Sequence, residues 1–239
     1  MRKILVTAVA LLATVTAVAQ GAGTRAQVER PSKGAISTEV QFNPFDQGGK
    51  TFSIDGIKAR FFISDRDALR AKIGFGMSTD KFMTGSDGSS YTKTRGGDVS
   101  IGFGYERHFP VAKRIDFYVG GQFEFAKHFA HSKGESAALD YEVEGAAIGI
   151  ASKDDPFASL NEDNRASSAF SVAALGGMDV YVYRGLYLGT ELGFDISAKK
   201  FDKVRFKPEG HPHVETHDTA KNLNIGFYIE PTIRLGYTF

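Results

Sequence analysis

Four groups of residues in this chain are of types that could do chemistry. His211, His213 and His217 form an H-x-H-x3-H cluster; neutral imidazoles so spaced can ligate zinc or copper, and the alternative is an exposed polar loop. Asp154, Asp155, Asn161, Glu162 and Asp163 offer the oxygen ligands that calcium takes, without the spacing or the glycine of an EF-hand. Asp155-Pro156 followed by Phe157 to Leu160 reads instead as a capped single helical turn. His131-Ser132 is the only local His/Ser pair, and adjacent residues of a strand face opposite ways, so no nucleophilic relay is predicted and the chain is not expected to be an enzyme. Lys93 and Arg95, with Lys199, Lys200, Lys203, Arg205 and Lys207, could meet lipid phosphates or form a solvated rim.

Composition narrows the classes further. The 239 residues include no cysteine, which removes disulfides, thiol nucleophiles and thiolate metal sites together. A formal net charge of +1 without a Lys/Arg-rich run argues against a nucleic-acid partner, and no cofactor is expected. Met1-Arg2-Lys3, an apolar run from Ile4 to Thr16 and the small-x-small Ala17-Val18-Ala19 read as a signal peptide over 1–19. Residues 20–33 are polar and aperiodic, a flexible periplasmic leader, and 34–239 form the remaining domain.

From Ala35 onward apolar residues recur at every second position, the period of a strand. Eight such segments are predicted: 36–42, 57–63, 69–78, 98–106, 115–126, 170–183, 186–196 and 223–239. One parity of these segments holds 45 positions and no charge, whereas the other holds 14 charges in 42 positions. One face of every strand therefore meets an uncharged medium. The charged face carries both signs: Lys58, Arg60, Arg70, Lys72 and Arg234 against Glu39, Asp98, Glu106, Asp116, Glu124, Asp179, Glu191, Asp195 and Glu230. A narrow polar lumen can satisfy these as an ion-pair network. The same face holds 10 glycines against 2 on the apolar face, as crowded long side chains inside an eight-stranded barrel require. Connections of 14, 19, 43 and 26 residues alternate with connections of 5, 8 and 2, the long-loop and short-turn asymmetry of an outer-membrane barrel. The expected fold is all-β, an eight-stranded antiparallel up-and-down transmembrane β-barrel.

With these features the chain resembles the small eight-stranded outer-membrane barrels of the OmpA/OmpX type, and more closely the outer-membrane β-barrel domain family common in Bacteroidota. The residues that carry the resemblance are GFGYERHF (Gly102 to Phe109), LYLGTELGF (Leu186 to Phe194) and TIRLGYTF (Thr232 to Phe239). The last is similar to the C-terminal signal read by the barrel assembly machinery, with Gly236, Tyr237 and Phe239 as its key positions. Two departures are the absence of Trp from the aromatic belts and Pro231 within the last strand, which predicts a bulge or a rim position. The resemblance implies a Gram-negative outer-membrane location with a periplasmic N-terminus, and a monomer in contact with membrane lipid and lipopolysaccharide. It also implies a structural or surface-interaction role in which four long extracellular loops meet host or surface ligands. A narrow passive pore is the alternative; a secreted lipocalin-like binder and an envelope lipid enzyme are further ones.

Overall fold

The computed structural model describes residues 30–42, 54–84, 90–135, 140–150, 155–216 and 220–239. The expected signal peptide, and the expected leader apart from residues 30–33, lie outside them. Among the described residues there are eleven strands: β1 (Ile36–Phe42), β2 (Ile54–Phe62), β3 (Asp67–Thr84), β4 (Ser90–Ala112), β5 (Ile115–Glu135), β6 (Tyr141–Glu144), β7 (Ser167–Tyr183), β8 (Leu186–Phe201), β9 (Arg205–Pro208), β10 (Val214–Glu215) and β11 (Lys221–Thr238). No helix among these residues is long and apolar enough to cross a membrane.

Eight strands form a ring. The hydrogen-bonded order β5-β4-β3-β2-β1-β11-β8-β7 is closed by a β5–β7 pairing, and every pair is antiparallel. Closure leaves no edge within the ring, as a strand-built wall in hydrocarbon requires. Alternation then sorts the side chains. Phe75, Ile101, Phe103, Phe123, Leu192 and Ile225 are exposed on the outer face, whereas Arg60, Arg70, Glu106, Asp179 and Arg234 are each at most 3% exposed inside. Such a distribution is the inverse of a water-soluble protein and suits lipid outside and a packed polar lumen within. At Pro231 the β8–β11 register is irregular: Glu230 pairs with Glu191 and Arg234 with Gly189, so β11 spends four residues where β8 spends two.

Three tight connections lie at one end, at residues 63–66, 113–114 and 184–185. The last is Arg184-Gly185, with Arg184 at φ 47° and Gly185 packed against the Thr238 backbone too closely for any Cβ. The eight-residue connection expected over 107–114 is corrected to a two-residue turn, because β4 continues to Ala112.

At the opposite end the expected long loops are corrected more substantially. β3 and β4 pair without interruption up to Thr84 opposite Ser90, and β4 pairs with β5 up to Tyr91 opposite Glu135. β4 has 23 residues, about twice the 9–11 that span a bilayer. The hidden strand segments are rich in Thr, Lys, Tyr and Ser, which favour or tolerate a pleated sheet but lack the apolar alternation that marks lipid contact. β5 also changes partner. It pairs with β7 from Ile115 to His128 and with β6 from His131 to Gly134, and β9 and β10 extend that branch. Gly145 sits where the wall forks: its N–H donates to Ala130 O, its carbonyl accepts from Ala166 N–H, and its φ is +84°. A Cβ there would lie 2.5 Å from Lys203 O. The branch has its own apolar core of Tyr141, Val143, Ala146, Ile148, Val204 and Phe206, with Phe157 and Leu160 packed on it. Residues 156–159 form a turn with Leu160 N–H donating to Phe157 O, in place of the expected helical turn.

Candidate functional site

The lumen is crossed by an ion-pair ring to which seven strands contribute. Lys58 Nζ lies 2.7 Å from Glu39 Oε1, Glu39 lies 3.2 Å from Arg234, and Arg234 lies 3.2 Å from Asp179. Asp179 is 2.6 Å from Arg60, Arg60 is 2.8 Å from Glu106, and Glu106 is 2.8 Å from Arg70. Arg70 then reaches Glu191 at 3.0 Å, and Glu191 returns to Lys58 at 3.3 Å. Four bases and four acids thus alternate around a closed cycle whose formal charges cancel. β5, the eighth strand, joins through Tyr118, whose hydroxyl donates to Glu191 at 2.6 Å and whose ring lies 4.8 Å beneath the Arg60 guanidinium. Tyr187 donates to Glu39 at 3.0 Å. Burying this many ions is tolerable only where each has opposite charges on more than one side.

Two glycines make room. Gly236 lies against the Tyr187 ring, and a Cβ on Gly189 would come within 2.8 Å of an Arg234 nitrogen. His108 sits between Asp116 at 3.0 Å and Glu106 at 3.2 Å, with the Phe62 ring 5.0 Å away. His108 lies within the connection predicted over 107–114 and is not among the expected lumen residues; its two-residue spacing from Glu106 is the signal that places it on the same face. Lys72 and Glu124 form a looser, part-exposed pair at 3.6 Å. Asp195 makes no ion pair among the described residues and does not join the ring, and the Glu230 side chain lies outside what is described. Asp98 pairs with His128 at 2.7 Å.

Beyond the ring, the extended hairpin β3–β4, His128, Ala147, Gly149, Asp163 and Asn164 border an open cup of about 560 Å³, to which Ser78, Asp80, Thr92 and Thr94 contribute polar groups. The branch beside it is held by surface charge as well as by its core. Glu144 takes bonds from Lys207 at 2.5 Å and Arg205 at 3.4 Å, and Arg205 Nε donates to Glu215 at 2.6 Å. The Lys207 ammonium donating to Glu144, and the Arg205 guanidinium donating to Glu215, hold both carboxyls below the usual range. Because the folded values are depressed, this contribution is present above the ordinary glutamate value of about 4.3 and is lost as pH falls through the folded values. Amide exchange compared at pH 7 and pH 3, corrected for intrinsic rates, should therefore show lost protection over 141–144 and 205–215 and unchanged protection in β7 and β8. Equal protection of the branch at both pH values would contradict this.

The other candidate groups are placed as follows. His131 faces Glu142 at 3.6 Å on one side of β5, while Ser132 is buried on the other and donates to Ala146 O, so they form no relay. His211 and His213 are exposed between β9 and β10, and His217 lies outside the described residues; no three potential ligands converge among the described residues. Asn161 Oδ1 accepts from the N–H groups of Asp163 and Asn164, closing a turn, and Asp154 lies outside the described residues. Of the assembly positions, Gly236 faces the lumen, while the Tyr237 and Phe239 rings meet edge-on at 4.8 Å, with Phe239 exposed.

Residues 42–239 match the family described as "Putative OmpA-OmpF-like porin family". No curated protein matches the chain. Among solved structures, the crystal structure of Ail, the attachment invasion locus protein of Yersinia pestis, is similar at 11% identity and a TM-score of 0.30, covering 87% of this chain and 99% of that chain. A likeness of that degree specifies neither function nor partner.

Proposed function

Because the chain belongs to the OmpA-OmpF-like porin family, whose barrels reside in the Gram-negative outer membrane, we propose that it is a closed, non-enzymatic barrel that carries a surface-interaction sheet. The observation that supports this reading is the alternating ring Lys58–Glu39–Arg234–Asp179–Arg60–Glu106–Arg70–Glu191. A solute would have to displace paired, fully buried ions to pass it. The short-turn end then faces the periplasm, together with the N-terminal side of β1, and the branch formed by β6, β9 and β10 projects outward. In that arrangement Tyr237 and Phe239 present the assembly machinery with an aromatic pair on the lipid face. The monomer's partners are membrane lipid on the outer wall and surface or host ligands at the cup and branch.

Planar-bilayer recording tests the closed lumen. The purified protein should insert without sustained conductance at 1 M KCl; stable steps of porin size would overturn the reading in favour of a passive pore.

A further inference from the structure

Most basic residues at the outward end already have partners. Arg205 and Lys207 are bound to Glu144 and Glu215, Lys199 lies over the Phe201 ring, Lys133 is 3.2 Å from Glu135, and Lys127 is held by Asp202 and Ser168. Lys200 and Lys221 differ. They are direct cross-strand partners on β8 and β11, both are exposed, and neither has an ion-pair partner among the described residues. Like charges placed directly opposite destabilise a strand pair unless a counter-anion is shared between them.

Their position says which anion. Lys200 follows Ile196 and Ala198 on the outer face of β8, and Lys221 precedes Leu223 and Ile225 on the outer face of β11. From Leu186 to Ala198 the strand advances roughly 40 Å, which at a tilt of about 40° rises roughly 30 Å, just past an apolar band of about 25 Å. The two ammonium groups therefore stand where acyl chains give way to headgroups. They share a shallow hollow of about 320 Å³ with Ala198, Lys199, Asn222 and Leu223, and Ser168 lies next to Lys200 in the same row.

The geometry points to a lipid site on the outer wall: Lys200 and Lys221 clamp the phosphate of a phosphorylated outer-leaflet glycolipid whose acyl chains lie along Leu223, Ile225 and Ile196. The site rests on the reading that this end faces outward. Its binding chemistry is independent of whether the lumen conducts, so a conducting barrel that still binds the lipid here would overturn only the closed-lumen reading.

The test titrates folded protein in phosphatidylcholine nanodiscs with diphosphorylated lipid A, dephosphorylated lipid A and inorganic phosphate, with native mass spectrometry as the readout. One diphosphorylated lipid should bind saturably, and K200Q/K221Q should weaken it roughly thirty-fold. K200R/K221R should retain binding, which separates charge from folding defects, and K81Q/K93Q, which removes equal charge from an opposed lysine pair on β3 and β4 where Lys81 already lies over the Tyr91 ring, should bind as wild type. Equal loss in K81Q/K93Q would reduce the site to diffuse attraction and overturn it. So would equal binding of the dephosphorylated lipid, or full displacement by inorganic phosphate at the lipid's own concentration.

Discussion

Arg234→Ala is expected to lower the unfolding free energy of the barrel by roughly 3–5 kcal/mol, the cost of leaving buried charges without a partner. Arg234 is fully buried, touches Glu39, Asp179 and Glu191 at 3.2–3.5 Å, and donates to Thr190 O at 2.8 Å. Its removal opens the cycle between β1 and β7 and leaves Glu39 and Asp179 each one cation short. Urea unfolding in phospholipid vesicles, followed by the gel shift between folded and unfolded forms, would measure the loss. Lys72→Ala gives the comparison. The Lys72–Glu124 pair is longer and part-exposed, so water screens it and its loss should cost no more than about 1 kcal/mol. Equal losses for the two variants would mean that the ring does not hold the lumen together.

The second large effect concerns the wall. Ile101 is exposed on the outer face, level with Ile73 and Phe125 on the neighbouring strands, while Ser100 faces inward beside Gly74 and Ala126. Ile101→Arg places a charge near the middle of the hydrocarbon and should cost roughly 2–4 kcal/mol. Ser100→Arg adds the same group one residue away, on the face that already holds charges and small neighbours, and should cost clearly less. Folded yield in vesicles and urea midpoints would both report the difference. A reversal would exchange the inner and outer faces of every strand.

The polarity of this barrel was legible because lipid contact and a charged lumen impose opposite compositions on adjacent residues. The alternation over Val99 to Tyr105 and over Leu186 to Ile196 therefore marks both strand and face. Beyond the membrane that contrast disappears. Thr92, Thr94 and Arg95 are as strand-like in structure as Ile101, yet water on both sides removes the pattern that would reveal them. The branch built from β6, β9 and β10 was illegible for a different reason. The β6–β9 pairing that joins its two halves links residues more than sixty positions apart, such as Val143 with Phe206, and nothing local signals it. The charged residues of the lumen could be named from their parity, but not their order around the cycle. That order depends on side-chain reach across the barrel and on the close packing at Gly189 and Gly236.

The fork at Gly145 has a mechanical meaning. β3, β4 and β5 rise together past the rim, whereas β7 leaves the wall at Ser167, so the branch is a cantilever clamped along one side of the cylinder. A pull on β9 or β10 loads β5 near His131 and passes into the wall as shear between long paired strands, the direction in which many hydrogen bonds resist at once. β8 shares the load directly, because only residues 202–204 separate Phe201 from β9 and the Asp202 N–H donates to Ala166 O beside the fork. The outer sheet could be exchanged for another of the same footprint while the cylinder below keeps its shape.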